Sequence, residues 1–160
     1  MTRFTATVNG KPVDWEVPVG EFLTETLRRH GLIGTKRGCE SGDCGACAVL
    51  LDGREVVSCL LLAAQASGHA ITTIEGVGDP RAPHPIQEAF VDAGAVQCGY
   101  CTPGMVIATH ALLAYRPRPT RDDARAALAG HLCRCTGYVK CLDAVELAAE
   151  RVQAATAGKE

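Results

Sequence analysis

Over residues 5–17 polar and apolar positions alternate in two runs, Thr5-Ala6-Thr7-Val8 and Val13-Asp14-Trp15-Glu16-Val17, separated by a segment containing Asn9-Gly10. A period of two puts one face of each run on a core, and Asn-Gly tolerates the positive φ of a tight turn, so this stretch predicts a β-hairpin. The period then lengthens. Phe22, Leu23, Thr26 and Leu27 recur at helical spacing within residues 20–30, with Gly31 as the stop. Ala48–Leu51 and Arg54–Val57 flank Asp52-Gly53 as a second hairpin, and residues 71–74 read as a last short strand. Two hairpins, a crossing helix and a further strand predict an α+β unit in which a small sheet grasps one helix.

Residues 76–85 change character, with Gly76, Gly78, Pro80, Pro83 and Pro85 in ten positions, and read as a linker. No strand pattern returns after it. Residues 86–93, 103–115, 121–132 and 142–152 each show amphipathic helical spacing, and four short helices can bury one core as a bundle. Thr102 suits the N-cap of the second helix and Pro103 its first position. Thr120 suits the N-cap of the third, followed by Asp122 and Asp123, whose carboxylates favour a positive helix start. Residues 153–160 read as a frayed, solvated tail. The division is therefore an α+β domain over 1–76, a linker over 77–85 and a helical domain over 86–160.

Composition excludes several function classes. With 47% hydrophobic and 21% charged residues over 160 positions, the chain has the makeup of a folded protein. A formal charge of -2 offers no basic excess to drive counterion release from nucleic acid, and 4% aromatics leave little surface on which bases could stack. The longest apolar runs fall well short of the roughly 18 to 20 residues of a membrane span. The first residues alternate and lack the apolar centre of a secretory signal, so a cytoplasmic location is expected. Thiols in that compartment stay reduced, and nine is odd, which turns the nine cysteines from disulfides towards metal.

Eight of the nine fall into two quartets. Cys39, Cys44, Cys47 and Cys59 give C-x4-C-x2-C and a later fourth Cys, the spacing of plant-type [2Fe-2S] ferredoxins. Gly38, Gly42 and Gly45 lie beside and between these ligands, where the missing Cβ lets backbone N–H groups approach sulfur. A zinc site more often uses two short C-x2-C knuckles than one long Gly-rich loop. Cys98, Cys101, Cys133 and Cys135 form C-x2-C and a distant C-x-C at the ends of predicted helices. Spacing leaves this second quartet open between a structural Zn(Cys)4 site and an iron-sulfur cluster, since the positive end of the following helix suits either anionic centre.

Three segments together carry a resemblance: Cys39-Glu40-Ser41-Gly42-Asp43-Cys44-Gly45-Ala46-Cys47, Gln97-Cys98-Gly99-Tyr100-Cys101-Thr102-Pro103-Gly104, and Cys133-Arg134-Cys135-Thr136-Gly137-Tyr138. In this order the chain resembles the iron-sulfur subunit of the xanthine oxidase family of molybdenum hydroxylases, over almost its whole length. The resemblance implies an N-terminal β-grasp, plant-type ferredoxin-like domain with one [2Fe-2S] cluster, followed by a C-terminal four-helix-bundle domain with a second. It also implies a non-substrate-binding subunit of an oxidoreductase, with a molybdenum-pterin cofactor on a large partner subunit and FAD on a medium one, in a heterotrimer or a dimer of heterotrimers. Electrons would enter at the second quartet and leave through the first. Gln97 and Cys135 match positions that contact the partner's molybdopterin, with a local helix or loop cap as the alternative for Gln97.

The remaining candidates have structural readings. Cys141 belongs to neither quartet and stands where similar proteins have an aliphatic residue; it reads as a small buried hydrophobe, with a ligand exchange against Cys135 as the alternative. His30, His69, His84, His110 and His131 form no C-x-H pair with the cysteines and read as surface, core or interface residues. Arg134 reads as solvated or partner-facing, or as tuning a cluster. Two other function classes compete: a free-standing ferredoxin-type carrier, which has no use for the helical half, and a zinc-stapled adaptor, which would be colourless.

Overall fold

The computed structural model describes residues 1–157. Strands β1 (Thr2–Val8) and β2 (Lys11–Val17) pair antiparallel, and Asn9 and Gly10 both take positive φ in the turn, as the hairpin pattern requires. Helix α1 (Leu23–Arg29) stops before Gly31, whose φ of +86° ends the helical path. Strands β3 (Ala48–Leu51) and β4 (Arg54–Val57) make the second hairpin, and β5 (Ala70–Thr72) inserts between them and the first. The sheet order is β2-β1-β5-β3-β4, with β1 and β5 parallel and the other pairs antiparallel. Phe4, Val8, Val17, Val49 and Ile71 from the strands close on Leu23 and Leu27 of α1, the grasp arrangement expected. Burying one such side chain is worth about 1.5–3 kcal/mol.

The strand expected over 71–74 is displaced. Thr73 is buried, and its backbone N–H donates to Asn9 Oδ1 at 2.9 Å while Asn9 Nδ2 donates to its hydroxyl at 3.0 Å. Those side-chain bonds replace the ladder, and Ile74 starts a short helix, α2 (Ile74–Val77).

Four helices follow: α3 (Pro85–Asp92), α4 (Thr102–Tyr115), α5 (Arg121–Leu128) and α6 (Val139–Ala157). They share a core that includes Ile86, Phe90, Met105, Leu112, Leu128 and Val145. Thr120 caps α5 as expected: its hydroxyl accepts from Asp123 N–H at 3.2 Å, and the Asp123 carboxylate accepts from Thr120 N–H at 2.8 Å.

Among the helix boundaries that depart from the sequence pattern, three have a visible cause. Helix α4 begins one residue earlier than Pro103: Met105 N–H donates to the Cys101 carbonyl at 3.1 Å, so Thr102 lies inside the first turn, and its buried hydroxyl has no partner. Helix α5 ends at Leu128 instead of residue 132, because His131 turns into the interior. Helix α6 runs through Ala157, where a frayed tail over 153–160 was expected. Gln153 ties that turn down, donating to the Pro117 carbonyl at 2.8 Å and accepting from Arg118 at 3.0 Å. Residues 158–160 of the expected tail lie outside the described residues. No helix among the described residues is long and apolar enough to cross a membrane.

The two halves meet through α4. Ile107 is fully buried against Ala48 and Leu50 of β3, and Gly104 in the first turn of α4 lies so close that a Cβ there would sit 2.4 Å from the Gly45 carbonyl oxygen. In a free helix Gly to Ala gains about 1 kcal/mol. Here the obstacle is backbone, which cannot swing aside, so Gly104→Ala is expected to lower the thermal midpoint by several degrees and to speed proteolysis between the halves; a raised midpoint would refute this tight contact.

Candidate metal centres

The loop between α1 and β3 carries Cys39, Cys44 and Cys47 without regular structure. Its path depends on left-handed residues: Glu40 at φ 60°, Gly42 at 85° and Gly45 at 68°. This curl turns backbone donors inward. The Cys39 sulfur accepts N–H bonds from Ser41 at 3.5 Å, Asp43 at 3.3 Å and Cys44 at 3.4 Å. Led by the Ser41 amide and followed by that of Cys44, these hydrogen bonds pull its thiol down to about 6, as N–H dipoles do for any thiolate.

Close approach also explains two glycines singled out by their place in the sequence. A Cβ on Gly38 would lie 2.6 Å from the Cys44 sulfur, and one on Gly42 would lie 2.4 Å from the Leu60 side chain. Cys47 and Cys59 are buried, and with Gly38, Phe22 and Thr24 they line a cavity of about 180 Å³. Burial, and then the adjacent Cys47 thiol, push Cys59 up to about 11. Cys44 is raised too, by burial first and then by the Cys39 thiol.

Cys98, Cys101, Cys133 and Cys135 come from the segment before α4 and the loop between α5 and α6, and the fold gathers them at one end of the bundle. Cys98 and Cys135 are exposed with sulfurs 3.5 Å apart. Cys101 and Cys133 are half-buried, and burial followed by the Cys133 thiol pushes Cys101 up to about 12. The Thr136 hydroxyl donates to the Cys133 sulfur at 3.1 Å, and Cys133 N–H donates to the Tyr138 hydroxyl oxygen at 2.8 Å. Cys101 occupies the cap position of α4, so the positive end of a 14-residue helix faces this quartet.

Both donor sets fit a binuclear cluster. Among the described residues no three His, Cys, Asp or Glu side chains converge as a single ion requires. The thiols lie instead as neighbouring pairs, Cys39 with Cys44, Cys47 with Cys59, Cys98 with Cys135 and Cys101 with Cys133. Two irons held by four thiolates need one pair each. Thiols whose burial opposes ionisation become favourable ligands once a cation supplies the missing charge.

Cys141 is fully buried on α6, its thiol 3.4 Å from the Thr136 hydroxyl and 3.9 Å from the Ala95 carbonyl oxygen. Gln97 and Arg134 are exposed. His30 stacks on Trp15 with ring centroids 3.8 Å apart, and His110 packs near His84. His69 pairs with Asp52 at the surface. Sequence reasoning missed Glu55, whose carboxylate accepts from buried His131 at 2.6 Å, and missed the contact between Tyr100 and the Arg37 carbonyl. Nothing local marks either contact, since each joins residues from opposite halves.

Comparison with known proteins agrees with the two centres. The family model described as a 2Fe-2S iron-sulfur cluster binding domain matches residues 6–71, and that described as a [2Fe-2S] binding domain matches residues 73–146. The chain is 50% identical over 145 residues to the nicotinate dehydrogenase small FeS subunit of Eubacterium barkeri, covering 90% of this chain and 92% of that one. It is 48% identical over 141 residues to the xanthine dehydrogenase iron-sulfur-binding subunit of Escherichia coli O157:H7, covering 87% and 89%. Among solved structures, quinoline 2-oxidoreductase from Pseudomonas putida 86 superposes with a TM-score of 0.91 at 43% identity, over 96% of each chain. The aldehyde oxidoreductase of Desulfovibrio gigas gives the same score and identity over all of this chain but only 18% of its own, so there the same unit is part of a longer polypeptide. With a plant-type ferredoxin-like domain joined to a helical [2Fe-2S] domain and relatives of this similarity, the chain belongs to the iron-sulfur subunits of the xanthine oxidase family of molybdenum hydroxylases.

Proposed function

We propose that this chain is the electron-carrying subunit of a molybdenum hydroxylase, with one [2Fe-2S] cluster on Cys39, Cys44, Cys47 and Cys59 and a second on Cys98, Cys101, Cys133 and Cys135. The observation that carries the reading is the pairing of thiols in both quartets within loops that touch one another. Bound clusters supply one-electron oxidation and reduction, so a two-electron oxidation of a heterocycle, aldehyde or similar substrate leaves the partner in single steps.

The residues around the thiols divide the labour. Ser41, Asp43 and Cys44 stabilise negative sulfur through backbone N–H groups in the first loop, and Thr136 does so through its hydroxyl in the second. Exposed Cys98, Cys135 and Gln97 give the second quartet an open side, which suits contact with molybdopterin on a large partner subunit. Val96, Tyr100 and Val139 are exposed apolar residues near these thiols in sequence, and a docked partner would cover them. Phe22 and Leu60 play the same part beside the first quartet, 44% and 56% exposed, where a medium FAD-binding subunit fits. A heterotrimer or a dimer of heterotrimers in the cytoplasm follows from this reading, supported by nine free thiols. The matched ranges 6–71 and 73–146 support a domain division of 1–76, a linker over 77–85 and 86–160. A free-standing carrier would leave the helical half without a task.

Electron paramagnetic resonance of the dithionite-reduced native protein tests the proposal. Two distinguishable signals integrating to about two spins per chain are expected, one electron per cluster. A colourless protein with no signal would refute it. Within the assembled complex, Cys47→Ser should abolish one signal and Cys101→Ser the other, with the second signal retained each time; loss of both or neither overturns the ligand assignment. Cys141→Ala should keep the iron content of both centres, at a stability cost of about 1 kcal/mol for a small buried truncation. Loss of one cluster's iron in that variant would make Cys141 a ligand.

A further inference from the structure

Cys141 belongs to neither quartet, yet its surroundings tie it to the second. It lies in the first turn of α6, fully buried among the core residues of the bundle, with its sulfur 3.4 Å from the Thr136 hydroxyl oxygen. That oxygen has two further neighbours: it donates to the Cys133 sulfur at 3.1 Å and accepts from Tyr138 N–H at 3.2 Å. A threonine hydroxyl has one proton and two lone pairs, so its three contacts are one donated bond and two accepted ones. A cysteine bound to iron has lost its proton and can only accept. The Thr136 proton is therefore committed to Cys133, and the proton in the contact with Cys141 comes from the Cys141 thiol. Burial among apolar side chains keeps that thiol in its neutral, proton-bearing form. Its other acceptor in reach, the Ala95 carbonyl oxygen, stands farther off at 3.9 Å. A chain of two hydrogen bonds thus runs from Cys141 through Thr136 to the sulfur of Cys133.

We infer that Cys141 is a positioning residue for the second cluster: its S–H bond holds the Thr136 hydroxyl aimed at the Cys133 sulfur, and this chain raises the reduction potential of that centre. The inference rests on the proposed cluster ligands. A reduced [2Fe-2S] centre carries one more negative charge than the oxidised one, part of it on thiolate sulfur, so a hydroxyl donor stabilises the reduced form more. An S–H donated to the hydroxyl oxygen polarises the O–H and strengthens its bond to sulfur, as neighbouring bonds in a chain do. Reduction adds one electron to the cluster, both protons stay on their own oxygen and sulfur, and no covalent bond forms or breaks. Cys141 acts on the centre only through Thr136.

The test is a mediated redox titration of the purified complex with its partner subunits, following by electron paramagnetic resonance the signal that Cys101→Ser removes. In Cys141→Ala both centres should keep their iron while the midpoint of this signal falls. The ratio of reduced to oxidised cluster at a fixed potential should drop about threefold, or about 28 mV at about 59 mV per tenfold change for one electron. Cys141→Ser, which keeps a proton to donate, should hold the midpoint at or above its native value. Thr136→Val removes the middle of the chain and should lower the ratio about tenfold. Adding Cys141→Ala to Thr136→Val should cause no further fall, because the thiol acts only through the hydroxyl. The other signal should keep its midpoint throughout. A native midpoint in Cys141→Ala, a fall in Cys141→Ser as large as in Cys141→Ala, or an additive fall in the double variant overturns the inference and leaves the carrier function standing. Loss of one centre's iron in Cys141→Ala does the same, since Cys141 would then be a ligand. If Thr136→Val does not assemble, the Ala and Ser variants of Cys141 decide by these criteria. Fewer than two signals in the unmutated complex overturn the carrier function and the inference together.

Discussion

Two [2Fe-2S] clusters, held on the eight thiolates proposed above, would put a concentrated negative charge inside a small protein, and accommodating that charge is the constraint on everything near it. The charge is tolerable only where N–H groups point at sulfur, because burial alone pushes thiols such as Cys59 and Cys101 away from ionisation. Regular helix and sheet spend their N–H groups on their own carbonyls. Cys39, Cys44 and Cys47 accordingly sit in an irregular loop whose left-handed residues turn donors inward, as Ser41, Asp43 and Cys44 do around Cys39. Sheet and bundle serve as frames that hold the cysteine loops still.

The frames differ because their loops do. The first loop is long and lies across a sheet that grips α1, so Cys59 can be supplied from beyond a hairpin. The second centre is assembled from helix ends, where the start of α4 contributes a positive dipole and the turn before α6 contributes Thr136 and Tyr138. Joining the frames needs small residues. Gly45 and Gly104 let the backbones approach to a distance that any side chain would forbid, and Ile107 seals the contact against Ala48 and Leu50.

Much of this was legible in the chain. Alternation marked the hairpins, helical spacing marked the bundle, and Thr120 was legible as an N-cap, which the structure completes as a capping box with Asp123. The errors share a cause. Thr102 suits a cap by residue type, yet the Cys101 carbonyl takes the first helical bond, because the position of Cys101 beside Cys133 is a tertiary matter. Helix α5 stops early because His131 is needed inside, and α6 persists because Gln153 reaches back to Pro117 and Arg118. In each case a contact from elsewhere in the fold outweighed a local propensity worth only tenths of a kcal/mol to about 1 kcal/mol per residue.

By itself the sequence determined the order of the five strands and the main helices, the two candidate quartets and the family they point to. These depend on periodicity and spacing, which are properties of neighbours along the chain. Only the tertiary structure decided how the thiols pair, that Leu132 bonds to Cys44, and that Glu55 meets His131 across 76 positions. Such contacts arise when surfaces built from different segments are pressed together. No local pattern encodes them, because each partner's environment is supplied by the other.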